Sequence, residues 1–398
     1  MSASFTLHAS VEEIGREAWE GCFGREPENF DFYRACEAAG PPGFTWFYAV
    51  LRDAAGVLAI VPGFGTRYRV DTTLQGGLRR FTDRLHRLVP FLMELNLFAL
   101  GSPVAEVCHV GFSQRVPVGG REALLGQLVD AARGEAARRG YGLFAVKDAA
   151  ERDEALWAPI AARSGFALLP GLPTASLDLP FRSVDDYLAT LGRNMRRDLR
   201  RKRKAFAGVR VERRRNIDDF ADEVYALYCQ TVDNSELQFE HLPRDYFPAM
   251  LRHLAPQAAM VLYFHEERLF GFNFVIETPE RLIDKYIGMD YAVARTLNFY
   301  FNSWMVNVAW CIENGVPVYQ SGQAFYGPKL RLGCRLSPNG QYFRHRNKLV
   351  NAILLQVARV VRLDRFDPAI ADLVEADREE ADHQEAHHRG ATFAGKGA

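Results

Sequence analysis

The sequence predicts an α/β fold, a mixed sheet with helices on its faces, built as two tandem copies of one unit. Three observations predict it. Apolar runs of strand length alternate with amphipathic stretches of helix length along most of the chain. The order of those elements recurs, at first about 210 residues later. The 398 residues, 48% hydrophobic and 25% charged, have the length of two domains and an ordinary globular composition.

The first copy opens with VEEIGREAWEGCF (11–23), read as one amphipathic helix, and NFDFYRACEAAG (29–40), read as a second. TWFYAVLRDAAGVLAIVPGF (45–64) holds two apolar runs around the polar turn Arg52–Gly56, a hairpin signal. REALLGQLVDAARGEAARRG (121–140) is a long helix stopped by Gly140, followed by the strand YGLFAVKD (141–148). LWAPIAARSGFALLP (156–170) is a short helix running into a glycine and a strand. A capping Ser183 then starts a further helix ahead of the second copy's core elements.

The second copy repeats the series. IDDFADEVYALYCQTV (217–232) and LPRDYFPAMLRHL (242–254) are helices, and AAMVLYFHEERLFGFNFVIET (258–278) is a hairpin turning at His265–Glu267. LNFYFNSWMVNVAWCIENG (297–315), VPVYQSG (316–322) and AFYGPKLRLGCRLSP (324–338) answer the long helix, the strand and the short helix. The offset falls to about 168 there, because the first copy carries extra sequence around Leu78–Ser113. The expected units are 1–180 and 181–366, followed by an acidic tail, 367–398, too poor in apolar residues to order itself.

The 49 basic residues balance the 49 acidic ones, which argues against a chain covered in basic charge for wrapping nucleic acid. The zero total hides two segments. Residues 193–215 carry twelve Arg/Lys against Asp198 and Glu212, a net +10, and residues 364–389 carry a net −6. The most apolar stretch, Leu88–Leu100, is short and interrupted by Glu94 and Asn96, so no membrane span is expected. The N-terminus has no basic segment ahead of an apolar run, so no secretory signal is expected. Six scattered cysteines without metal-like spacing predict reduced thiols, a cytoplasmic chain and no bound metal. P-loop, HExxH, EF-hand and G-x-S-x-G patterns are absent from the sequence.

The order of elements, with a long helix after a central strand, resembles one lobe of the GNAT acyltransferase fold. Two such lobes in one chain resemble the Fem-type aminoacyl transferases and the BioF2-like or CelD-like acetyltransferase domains. The resemblance rests on the basic entry at Asn194–Arg203, KYIGMDY (285–291), the helix from Leu297, YQSGQAFYGPKLRLG (319–333) and FRHRN (343–347). It implies two tandem GNAT-like lobes with a cleft between them. The first lobe would shape the substrate and the second would catalyse.

Amine acylation requires removal of a proton from the amine, stabilisation of the oxyanion and protonation of the leaving group. The resemblance puts a general-acid tyrosine at Tyr326 and an active-site lysine at Lys329; the first copy has no tyrosine at the matching place, Trp157–Pro159. Asp290 ends a strand, where it can accept the amine's proton or cap the next helix. His345 is a candidate base. Tyr286, Tyr291, Gln320, Gln323, Arg344 and Arg346 are candidate acceptor contacts.

The glycine-rich turn with which ordinary GNATs bind the CoA pyrophosphate is missing: the turn reads Asp290–Asn298 and contains no glycine. Arg295 and Asn298 are the candidates to meet a phosphate there, and Arg193, Arg196, Arg197 and Arg200 form the basic entry. The expected reaction moves an acyl group from a thioester on CoA or a carrier protein directly to a small-molecule or peptide amine, with no tightly bound cofactor. The alternatives are an aminoacyl-tRNA-dependent transferase and a non-catalytic anion-binding protein, with tRNA or an acyl carrier protein as the partner of 193–215. The oligomeric state stays open.

Overall fold

The computed structural model describes residues 3–69, 94–235 and 240–360, so the tail expected at 367–398 lies outside the described residues. Among the described residues thirteen strands form one mixed sheet. The first seven are β1 (Ser4–His8), β2 (Phe44–Asp53), β3 (Gly56–Arg69), β4 (Glu94–Leu100), β5 (Gly111–Phe112), β6 (Leu143–Ala150) and β7 (Ala167–Asp178). The others are β8 (Arg210–Arg214), β9 (Ala258–His265), β10 (Arg268–Glu277), β11 (Leu282–Met289), β12 (Val318–Gly322) and β13 (Arg335–His345). Their order is β1-β2-β3-β4-β6-β13-β7-β12-β11-β10-β9-β8, with β5 paired to β3.

That order displays the repeat. Reading inward from either edge, each copy contributes an edge strand, a hairpin and a parallel pair: β1, β2–β3, β4–β6 from one side and β8, β9–β10, β11–β12 from the other. The last strand of each copy is exchanged. β13 pairs antiparallel with β6 of the first copy, and β7 pairs antiparallel with β12 of the second. β13 and β7 pair with each other at the centre, from Arg335↔Ser176 to Phe343↔Ala167. The exchange joins the copies through continuous backbone hydrogen bonding.

Both hairpins turn where the sequence says. The second turns on Glu266 and Glu267, both in the left-handed region (φ 50° and 60°), which matches the right-handed twist of the flanking strands. Ser183 accepts the Asp186 N–H at 3.1 Å and starts α5, as its residue type predicts.

Among the described residues there are twelve helices: α1 (Arg16–Phe23), α2 (Phe30–Ala39), α3 (Arg121–Arg138), α4 (Glu154–Ser164), α5 (Val184–Thr190) and α6 (Arg193–Ala205), then α7 (Ala221–Asp233), α8 (Tyr246–His253), α9 (Tyr291–Thr296), α10 (Phe299–Glu313), α11 (Tyr326–Arg331) and α12 (Lys348–Val360). Two differ from expectation. The helix read over 11–23 breaks at Gly15 (φ 84°), leaving a single 3₁₀ turn before α1. The helix read from Leu297 is preceded by the separate α9, and Asn298, left-handed at φ 51°, divides α9 from α10.

Each copy's first two helices share one core on one face of the sheet. Phe32, Tyr33 and Tyr48 from the first copy lie in it with Tyr246, Phe247 and Met250 from the second, all fully buried. The other face carries two separate cores, one per copy, under α3 and α4 and under α10. The shared core, like the strand exchange, fixes the seam between the copies. Among the described residues no helix is long and apolar enough to cross a membrane.

Candidate active site

β11 and β12 run parallel but pair at only two positions, Leu282↔Tyr319 and Ile283↔Gln320. Their counterparts β4 and β6 pair at four, from Leu97↔Leu143 to Leu100↔Val146. Beyond Ile283, β11 keeps β10 on one side and, among the described residues, has no strand on the other. Outward N–H and C=O groups of the Asp284–Met289 stretch therefore border a gap in the ladder. Such an edge can take an extended chain by strand addition.

The first copy reaches this gap through the segment after β4. Asn339 on β13 donates to the Glu106 and Leu172 carbonyls, both at 3.1 Å, and Lys147 donates to the Ala105 carbonyl at 3.1 Å. These bonds carry the segment over β13 and β7 to β12. There Gln320 Nε2 donates to Glu106 Oε2 at 2.9 Å, and Arg281 Nη1 donates to Gln320 Oε1 at 3.1 Å. Gly322, at φ 76°, lies directly beneath: a Cβ on it would stand 2.7 Å from Glu106 Oε1. Burial pushes the Glu106 carboxyl above the usual carboxylate range, although Lys285 and Gln320 act to lower it. No cation lies within ion-pair distance of Glu106 among the described residues.

A second contact comes from the loop between α1 and α2. Lys285 makes a short ion pair with Glu28, and both side chains are almost fully buried. His109 Nε2 lies 3.3 Å from Glu28 and 3.7 Å from Glu26, while the Tyr33 hydroxyl is 2.8 Å from His109 Nδ1. Burial opposes ionisation of Glu26, yet His109 and Arg152 hold it down at about 2. Burial alone would lower the Lys285 ammonium, but Glu28 and Glu106 more than offset that and raise it. Glu240 adds another partly buried carboxyl, raised by burial, 3.5 Å from the Tyr286 hydroxyl.

Lys329 lies 97% buried beneath the same loop. Its ammonium donates to the carbonyls of Ser321 (2.8 Å), Gly322 (2.9 Å) and Gln323 (3.2 Å). That charge holds a loop in which Gly322, Ala324 and Phe325 all have positive φ. Two non-glycine residues in that region mark stored strain, which structures retain mostly at functional sites. Nearby on β11, Asp284 accepts from Tyr319 (2.7 Å), Asn273 (3.0 Å) and Asn307 (3.2 Å). Burial nevertheless raises it to about 6.

Of the residues singled out in the sequence, Lys329, Gln320, Gln323 and Tyr286 gather around this seam. Gln323 donates to the Leu172 carbonyl at 2.9 Å and so anchors the loop. The Tyr326 hydroxyl, expected as general acid, instead donates to the Pro173 carbonyl at 2.8 Å and ties α11 to β7. Asp290 takes the capping role: it accepts the Ala292 N–H at 3.0 Å and pairs with Arg268 at 3.1 Å. It stands six residues along β11 from Asp284, about 20 Å at strand rise, so it does not join the seam. Tyr291 goes with it, under the Arg295 guanidinium.

Arg344, His345 and Arg346 are also removed. His345 pairs with Leu143 at the outer end of β13, nine residues and about 30 Å from Leu336, which is level with Ala175 and Gly322. Its Nδ1 accepts the Asn347 N–H, the Arg344 guanidinium is spent on the Ser164 carbonyl, and Arg346 bonds through its backbone to Gly142.

The basic run divides in two. In and after β8, Arg210, Arg213, Arg214 and Arg215 pair with Glu212, Glu267, Glu277 and Asp219. On α6, Asp198 takes Arg201 and Lys202, and Arg196 donates to the Ala189 carbonyl at 3.0 Å. Arg193, Arg197 and Arg200 are exposed and have no partner among the described residues. The Asn302 amide bonds the Lys202 carbonyl at 3.2 Å, and the Lys202 ammonium sits 3.2 Å over the Phe301 ring. α6 thus packs on the start of α10, beside Asn298, where a GNAT-like phosphate site was expected; Arg295 is exposed on α9.

Sequence reading missed Glu28, Glu106, His109, Arg281 and Asp284. Asp284 had a signal, a charged pair Asp284-Lys285 inside an apolar strand. Glu106 had none, because only the exchange of β13 and β7 brings its loop to β12.

Residues 173–353 match the FemAB-like family model, described as peptidoglycan biosynthesis/recognition. Among curated proteins no sequence matches. Similar solved structures include FemX, 11% identical with a TM-score of 0.56, over 89% of this chain and 100% of that one. The C-terminal domain of a putative lysylphosphatidylglycerol synthetase from Agrobacterium fabrum is 14% identical, with a TM-score of 0.51 over 88% of this chain and 96% of that one. A tandem GNAT protein from the clavulanic acid biosynthesis pathway is 13% identical, with a TM-score of 0.47 over 87% and 99%. Residues 173–353 are thus similar to the FemAB-like family, and the chain, with its two exchanged copies of one α/β unit, shares the fold of FemX.

Proposed function

We propose that the protein is an acyltransferase that moves an acyl group from an activated carrier to an amine at the seam between its copies. One observation carries the reading: Glu106 of the first copy reaches Gln320 and Gly322 of the second where β11 and β12 part. The donor's extended arm lies along the free edge of β11. Glu106 takes a proton from the acceptor ammonium, a task suited to a carboxyl whose basicity burial raises above the usual carboxylate range. The nitrogen then attacks the acyl carbon, the C–N bond forms, and the bond from acyl carbon to carrier sulfur or oxygen breaks. The nitrogen's second proton goes to the leaving atom, and Glu106 releases the first to solvent. Lys329 is a positioning residue, holding the 321–323 carbonyls. Residues 181–366 are the catalytic unit and 1–180 shape the acceptor site. Six unpaired cysteines suit a reducing, cytoplasmic setting.

A thioester is the leading donor. The aminoacyl-tRNA reading is favoured by a specific pair of observations: α6 packs on the start of α10, and Arg193, Arg197 and Arg200 are exposed without partners among the described residues. Native purification separates the two. CoA or a pantetheine-bearing carrier in the mass spectrum supports the thioester, and RNA with a high 260/280 nm ratio supports the tRNA. Glu106→Gln must then abolish transfer of the radiolabelled acyl group; full activity in that variant refutes the reading.

A further inference from the structure

Arg281 and Glu106 carry opposite charges at the two ends of the Gln320 amide. Arg281 donates to Gln320 Oε1 at 3.1 Å, and Gln320 Nε2 donates to Glu106 Oε2 at 2.9 Å. The amide's own O···N separation is about 2.2 Å, so guanidinium and carboxylate are at most about 8 Å apart. Neither charge is neutralised. Among the described residues no carboxylate lies within ion-pair distance of Arg281, and its guanidinium has no hydrogen-bond partner besides Gln320, while its backbone N–H donates to the Thr278 hydroxyl at 3.1 Å. Glu26, the acid that feels the Arg281 charge, pairs with His109 and Arg152. Lys285, the cation nearest in effect to Glu106, is paired with Glu28.

An unpaired guanidinium and an unpaired carboxylate at fixed spacing are complementary to a ligand carrying both charges in reverse. We infer that the acceptor is a free α-amino acid, its ammonium on Glu106 and its carboxylate on Arg281. The length fits: two hydrogen bonds of about 2.8 Å and a nitrogen-to-carboxylate separation of about 3 Å reach about 8.6 Å in a straight line, and slightly bent hydrogen bonds bring that within the gap. The ligand lies alongside the Gln320 amide. Moving the amine out to the γ-carbon, as in 4-aminobutyrate, overshoots the gap. A fork-shaped guanidinium also favours a planar carboxylate. The amine on Glu106 is then the one acylated, so the product is an N-acyl amino acid. This rests on the acyltransferase reading for its reaction and on geometry alone for its ligand.

The test is calorimetric titration of the full chain, without acyl donor, by the twenty common amino acids, their carboxamides and their N-acetyl derivatives. At least one free amino acid should bind at least tenfold more tightly than its amide and its N-acetyl form, and 4-aminobutyrate should bind weakly. Arg281→Gln should abolish the preference for acid over amide, and Glu106→Gln the preference for free over acetylated amine. Arg281→Lys, which keeps the charge, should retain part of the first preference and serves if the glutamine variant does not fold. No binding by any free amino acid, equal binding of acid and amide, or an unchanged preference in the folded Arg281 variant overturns the inference. Binding as expected with no transfer from any donor would instead strike at the acyltransferase reading.

Discussion

The Gln320 amide on β12 donates to the Glu106 carboxylate at 2.9 Å, although 214 residues separate the two and three strands lie between β12 and β4, after which Glu106 falls. Four predictions follow from that bond and its surroundings.

Glu106 is raised by burial, so the fold favours its protonated form. Its contribution to stability is fully present below the unfolded value of about 4.3 and is lost as pH rises through the folded one. Glu106→Gln, neutral at every pH, should melt no lower than wild type at pH 8, with any advantage shrinking toward pH 4. Turnover should fall by roughly 10²–10⁴, and the acid limb of the wild-type pH–rate profile should disappear. A variant that keeps both turnover and that limb refutes the base assignment.

Lys329 holds three carbonyls of a strained loop. Lys329→Met removes the charge at similar volume, leaving those acceptors without the donor, and should cost roughly 2–4 kcal/mol in denaturant unfolding. Hydrogen exchange should rise first at 321–325. Undiminished protection there would separate the lysine from loop order.

Gly322 is limited by conformation and by space. Gly322→Ala must hold a φ of 76° with its Cβ 2.7 Å from Glu106. The backbone strain alone is about 1–2 kcal/mol. Transfer activity should fall further than stability, because the displaced group is the proposed base; a fall in stability alone would argue against that contact.

Asp284 titrates at about 6 in the folded chain and about 3.9 unfolded. Its stabilising effect is present below pH 4 and fades as pH rises through 6, on the order of 3 kcal/mol. Asp284→Asn should flatten the wild-type decline in melting temperature between pH 4 and 7. An unchanged slope would show that another group titrates there.

Much of the fold was legible because its signals are local. The hairpin turns at Arg52–Gly56 and His265–Glu267, the Ser183 cap and the repeated order all depend on residues close in the chain. The breaks at Gly15 and Asn298 were less legible, since the apolar periodicity runs through both and only backbone φ records them. The site was read in part. Lys329, Gln320, Gln323 and Tyr286 lie on or beside the strands that the repeat identifies. Asp290 and His345 were misplaced for one reason: a strand's sequence shows which residues alternate, and its neighbours decide which end meets the rest of the molecule. Tyr326 occupies the expected helix, but its hydroxyl is spent on a carbonyl of β7, a partner brought there by the exchange.

By itself the sequence determined the α/β class, the two copies and the +10 segment at the entry to the second, because periodicity, turn chemistry and charge are written locally. Tertiary structure decided what that charge does, neutralising the β8 arginines and leaving Arg193, Arg197 and Arg200 among the exposed arginines of α6. It also decided which acids matter. Glu28 and Glu106 sit in loops without a pattern, and they face Lys285 and Gln320 only because each copy gives its last strand to the other. Pairing across such distances depends on strand order, which no short stretch of sequence encodes.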